Sequence, residues 1–181
     1  MPRAVLDLIA ERLESAYRGD GFHSLRGNLE SVLDAEWDVR PARPSVEEFG
    51  AQPERLNPVI GRWEPWSHLS IADLVLHAGI PKLLYAARVR GDLALDWADI
   101  VLPRSHDRAD MMAWLDDAHR TLQEAAAGLA DDADLAIMRP VPSLMRSLGD
   151  VLWTQVAHDL YHAGEVNRQR ALMRGAEGWA R

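Results

Sequence analysis

The chain has 181 residues, a formal net charge of -8, 48% hydrophobic and 27% charged residues, and no cysteine. That balance predicts one soluble globular domain spanning 1–181, long enough to bury a core without disulfides. It excludes a disulfide framework, thiolate metal ligands and a cysteine nucleophile. The acidic charge, with arginines scattered and not clustered, leaves no basic footprint for nucleic acid.

From the N-terminus, Val5, Leu6, Ile9, Leu13 and Ala16 recur at helical intervals and predict a helix over about Pro2–Tyr17, stopped by Gly19 to Gly21. Charges alternate with leucines there, so no continuous apolar signal-peptide core is formed. No stretch approaches the roughly 20 apolar residues needed to cross a bilayer. The expectation is a cytoplasmic protein without a membrane partner. A shorter helix is predicted around Ser24–Glu36, with Leu25, Leu29, Val32 and Leu33 on one face.

Residues 39–67 carry Pro41, Pro44, Pro53, Pro58 and Pro65 and read as an irregular insert between the first and second main helices. Its length exceeds an ordinary connection. Ser70 and Asp73 then form a capping-box pattern. The helix they open carries Ile71, Leu74, Val75, Ala78, Leu83, Leu84 and Ala87 and ends near Gly91. Pro81 lacks the N–H that would bond the carbonyl of His77, which predicts a kink one turn beyond His77, eased by Gly79.

A third long helix is predicted over about Asp107–Leu129, capped by Ser105 or Asp107, with Met111, Leu115, Ala118, Leu122, Ala125 and Leu129 inward. The last should span Leu148–Met173, opened by Ser147 and Asp150 and followed by Gly175. Residues 93–102 read as loop, and no segment alternates convincingly as a strand. Four main helices without a repeat point to an all-α helical bundle.

His158 and His162 are four residues apart, so they share a face of the last helix and could hold one ion. Their stripe continues through Gln155, Glu165 and Gln169, beside Leu152, Val156, Leu160, Ala163 and Val166, which look buried. A buried polar stripe must be paired. On spacing alone, two separately bonded histidines remain an equal alternative. His77 lies mid-helix among Leu74, Val75, Leu76 and Ala78, where it is either a satisfied core histidine or a third ligand. Three neutral imidazoles suit zinc, nickel or similar first-row ions. Asp73 and Asp159 are placed to orient a ligand or simply to cap and solvate, and His23 to line a pocket or a turn. His106 and His119 read as surface groups, His68 as structural, and Trp63, Trp66, Trp97, Trp114 and Trp153 as core or loop anchors.

Residues 157–166 (AHDLYHAGEV) resemble the terminal H-D-x-Y-H-x-G motif of the DinB-like superfamily, and 70–77 (SIADLVLH) is similar to its helix bearing the first histidine. Residues 21–25 (GFHSL) resemble the family's W-H-G-x-S-L entrance, with Phe22 in place of Trp and the Gly absent. Residues 139–142 (RPVP) also fit. The resemblance implies an up-down four-helix bundle, a divalent ion on His77, His158 and His162, and frequent homodimers. It includes bacillithiol- and mycothiol-dependent S-transferases, which implies a low-molecular-weight thiol cosubstrate and a small-molecule electrophile. The proline-rich insert and altered entrance place the substrate outside what the resemblance transfers. The alternatives are a metal-dependent hydrolase, with Glu165 as the candidate base, and a non-catalytic metal-binding stress-response protein.

Overall fold

The computed structural model describes residues 2–20, 23–40, 69–141 and 144–175, together with the backbone of 55–57 and 62–64. Among these residues the chain is mostly helical. The helices are α1 (Ala4–Arg18), α2 (Leu25–Glu30), α3 (Asp34–Trp37), α4 (Ile71–Arg90), α5 (Arg108–Ala127) and α6 (Leu148–Arg174). Most of the proline-rich insert, with Trp66, His68 and the side chain of Trp63, lies outside what is described. Within it, β1 (Arg55–Asn57) and β2 (Arg62–Glu64) pair antiparallel, Leu56 opposite Trp63.

Helix α1 turns Leu6, Ile9, Leu13, Ala16 and Tyr17 inward. Its N-cap, Arg3, supplies no side-chain bond, and the Asp132 carboxylate accepts from the backbone N–H of Val5 (3.1 Å) and Leu6 (2.9 Å) instead. Val5, expected inward, is exposed. The helix expected over Ser24–Glu36 is two pieces broken at Ser31, and the break turns Leu33 out to solvent.

Helix α4 is buried on nearly every side, which is why it reads as continuously apolar. Ser70 accepts from the Asp73 N–H (3.1 Å) while Asp73 accepts from the Ser70 N–H (3.0 Å), closing the expected capping box. The helix runs through Pro81 and ends at Gly91, whose φ of 88° lets the Asp92 N–H reach back to the Ala87 carbonyl. Gly79 has a packing reason of its own: a Cβ there would lie 2.2 Å from Cζ3 of Trp114 on α5.

Ser105 steadies the start of α5, accepting from the Asp107 N–H (3.1 Å) and donating to Asp110 (2.7 Å). Helix α6 begins at Ser147, which accepts from the Asp150 N–H, and ends at Gly175 with φ of 70°. No segment alternates convincingly as a strand in the sequence, yet besides β1 and β2 a second hairpin forms just before α6. Strands β3 (Met138–Val141) and β4 (Leu144–Ser147) pair antiparallel, Met138 opposite Ser147. Four-residue strands containing Pro140 and two arginines are too short to display an alternation, so their sequence carries no strand signal.

Helix α4 packs on α3, α5 and α6, and α1 on α2, α5 and α6. The apolar core divides in two. One cluster joins Tyr17, Leu29, Leu74, Leu76, Leu115 and Val166; the other joins Leu6, Leu13, Val89, Leu122, Leu152 and Val156. Between them in chain position on α4, α5 and α6 lie buried Lys82, His119 and Asp159. Gln155 and His162 are buried beside the same boundary, and His77, 9% exposed, stands at its edge.

Candidate metal centre

His77 stands on the second turn of α4, and His158 and His162 stand one turn apart on α6. Packing α4 against α6 brings the three rings together. The Nε2 atom of His158 lies 3.2 Å from Nε2 of His77 and 3.0 Å from Nε2 of His162. One ring nitrogen from each falls within 4.8 Å of the others. Two imidazole nitrogens on a tetrahedral ion with bonds of about 2.05 Å would be roughly 3.3 Å apart, so the observed spacing fits a shared cation. His162 is fully buried, while His77 and His158 keep partial exposure.

Burial, with the neighbouring imidazoles His162 and His158, pushes His77 down to about 2. Burial first, then His162 and Lys82, pushes His158 down to about 3. Both rings are therefore neutral at ordinary pH, which is the form that donates a lone pair. The His162 Nδ1 is 2.7 Å from Oε2 of Glu165, itself mostly buried. A carboxylate there accepts the Nδ1 proton and leaves Nε2 as the lone-pair nitrogen facing the other rings. Glu165, weighed from sequence as a base, is thus engaged as an orienting group of His162.

The other residues singled out from sequence are placed as follows. The Gln155 Nε2 donates to Asp159 Oδ1 (2.9 Å) and lies 3.5 Å from His158 Nδ1. Asp159 is fully buried and paired with Lys82. Asp73 belongs to the capping box and pairs with Arg40 (2.9 Å). His23 is exposed, its Nδ1 2.9 Å from Asp20. Gln169 donates to the Leu69 carbonyl (2.8 Å), so the polar stripe of α6 is buried and bonded along much of its length.

Three expectations are corrected. His119 is not a surface group: it is 1% exposed, stacked on Tyr17 at 3.9 Å, and bonded to Glu14 at 3.1 Å. A histidine flanked by Ala118 and Arg120 gives no sequence sign of burial, and only the partner helix α1 supplies it. Leu160 and Trp153 are exposed, because the buried face of α6 is centred on Gln155, Asp159 and His162.

Lys82 is the residue the sequence reading missed. It is the only lysine among 20 basic residues, and the only charge on α4 between Asp73 and Arg88. That isolation was the available signal. Its ammonium group is fully buried against the Asp159 carboxylate, with the Tyr17 ring centroid at 4.9 Å. Burial lowers the Lys82 pKa and raises that of Asp159, and each is partly offset by the other's charge.

No helix among the described residues is long and apolar enough to cross a membrane. No curated protein and no solved structure gives a significant match to the chain. The family model described as the DinB superfamily matches residues 21–166. With that match over most of its length, the chain belongs to the DinB superfamily.

Proposed function

We propose that this chain is a divalent-metal protein that works as a metal-dependent enzyme of the thiol S-transferase type, acting on a small electrophile. The observation that carries the metal assignment is the convergence of the Nε2 atoms of His77, His158 and His162. The donor set is three imidazole nitrogens, with His77 and His158 held neutral by burial, which suits zinc or nickel. On this reading α1, α4, α5 and α6 form an up-down four-helix bundle within one domain.

A divalent cation held there would supply Lewis acidity that favours the thiolate form of a low-molecular-weight thiol. The protein's own part is to keep three lone pairs aimed at one point, with Glu165 fixing the His162 tautomer. Partial exposure of His77 and His158 leaves a side from which a small molecule can approach. The hydrolytic alternative needs a free general base, and Glu165 is already bonded to His162, which favours transfer over hydrolysis.

The test is a turnover assay on zinc- and nickel-loaded protein, using a chromogenic haloarene with and without added thiols. Thiol-dependent turnover that His158→Ala abolishes supports the proposal. Chelator-sensitive cleavage of esters or amides without thiol would establish the hydrolytic reading instead. No turnover, with a lower melting temperature on metal removal, would leave a metal-stabilised binding protein.

A further inference from the structure

We propose that the buried Lys82–Asp159 ion pair, acting with Gln155, is the device that positions the three histidines. The pair joins the same two helices that carry the rings. Lys82 lies five residues beyond His77 on α4, which is about 7.5 Å along the axis. Asp159 lies between His158 and His162 on α6. An ion pair at that level fixes how far α4 can slide or rotate against α6, and therefore where His77 meets its partners.

Asp159 also uses both carboxylate oxygens. Oδ2 takes the Lys82 ammonium and Oδ1 accepts from Gln155 Nε2 at 2.9 Å. Because Oδ1 requires a donor, the Gln155 amide is held with its nitrogen toward Asp159, and that same nitrogen lies 3.5 Å from His158 Nδ1. A buried polar chain thus runs from Lys82 through Asp159 to Gln155, all 0% exposed, and the Gln155 amide nitrogen packs beside His158. With the His158 Nε2 lone pair aimed at a bound ion, Nδ1 carries the proton, so that approach is steric and not a hydrogen bond.

Stability alone gives no reason for such a pair. Two buried charges lose their hydration, and well-packed apolar residues of similar volume serve folding as well or better. The choice of residue is telling too. The chain uses arginine for every other basic side chain and lysine once, where a compact ammonium meets one carboxylate and an aromatic face. Lys82, Asp159 and Gln155 are positioning residues, since their bonds tie α4 to α6 and brace Asp159 along α6, and none reaches a reacting atom.

This inference rests on the three-histidine site binding a divalent ion, and the experiment separates the two. The full chain is titrated with cobalt(II) alone, reading the ligand-field absorption and the affinity by competition with a chromophoric chelator. The variants are Lys82→Met/Asp159→Leu, which removes both charges together, and Gln155→Met, which removes the donor that holds Asp159 Oδ1 but leaves the ion pair. Both should bind cobalt about 10–100-fold more weakly with a shifted spectrum, while the metal-free double variant melts cooperatively near the parent.

A folded double variant with parental affinity and spectrum overturns the positioning role and leaves the metal site standing. If the double variant does not fold, Gln155→Met decides: unchanged cobalt affinity and spectrum overturn the proposal. Failure of the parent chain to bind cobalt overturns the site and its positioning together.

Discussion

Replacing Glu165 separates an orienting carboxylate from a catalytic base. In the structure Oε2 of Glu165 is 2.7 Å from His162 Nδ1, and the side chain is 13% exposed, so solvent screens the contact little. The carboxylate sets which nitrogen of His162 carries the proton and strengthens the other as a donor. Loss of such a partner lowers metal affinity by about 10–100-fold, or ~1.4–2.7 kcal/mol. Glu165→Ala should fall in that range. Glu165→Gln keeps an acceptor oxygen without the charge, and a neutral acceptor forms roughly half as strong a bond. It should therefore lose about tenfold or less. The assay is chelator competition with zinc, run beside thermal melts of the metal-free proteins to confirm that each is folded. Unchanged zinc affinity in both folded variants would refute the reasoning. So would a loss of turnover with metal affinity intact, which is the signature of a base.

Gly79→Ala should destabilise the fold by about 1–3 kcal/mol, because its Cβ would overlap the Trp114 ring and that ring is tied by its Nε1 to the Val101 carbonyl at 2.9 Å; an unchanged urea midpoint would contradict the packing. Asp132→Ala leaves the Val5 and Leu6 N–H groups without their cap and should cost about 1 kcal/mol by the same measurement. The metal-free protein should lose stability as pH falls below about 6.5. Burial holds His77, His158 and His119 at about 2 to 3, so between those values and about 6.5 the unfolded chain binds more protons than the folded one. Each histidine then contributes up to ~1.4 kcal/mol per pH unit. Melting temperatures measured with chelator present should drop from pH 7 to pH 4, less steeply in His119→Gln. A flat profile would refute the burial of these rings in neutral form.

Much of this was legible in the sequence because it depends on local spacing. The four-residue interval of His158 and His162 fixes their common face, and Ser70 with Asp73 fixes where α4 begins, so the phase of His77 follows. What stayed hidden depends on the neighbouring element. His119 is buried only because Tyr17 of α1 covers it. Glu165 reaches His162 one turn back on its own helix, a contact that the spacing permits and only the rotamer decides. Lys82 needed Asp159 opposite it, a pairing 77 residues away in sequence that no periodicity encodes. The β3–β4 hairpin is too short to announce itself. Asp132 acts as a cap across 126 residues, in place of a poor N-cap at Arg3.

The most direct test of the three-histidine centre is elemental analysis of the purified chain after zinc or nickel loading and removal of free metal, beside His77→Ala, His158→Ala and His162→Ala. The structure predicts about one ion per chain in the parent and a marked loss in each variant, since one ring nitrogen from each histidine lies within 4.8 Å of the others. A parent that retains no metal, or variants that retain as much as the parent, would contradict the account.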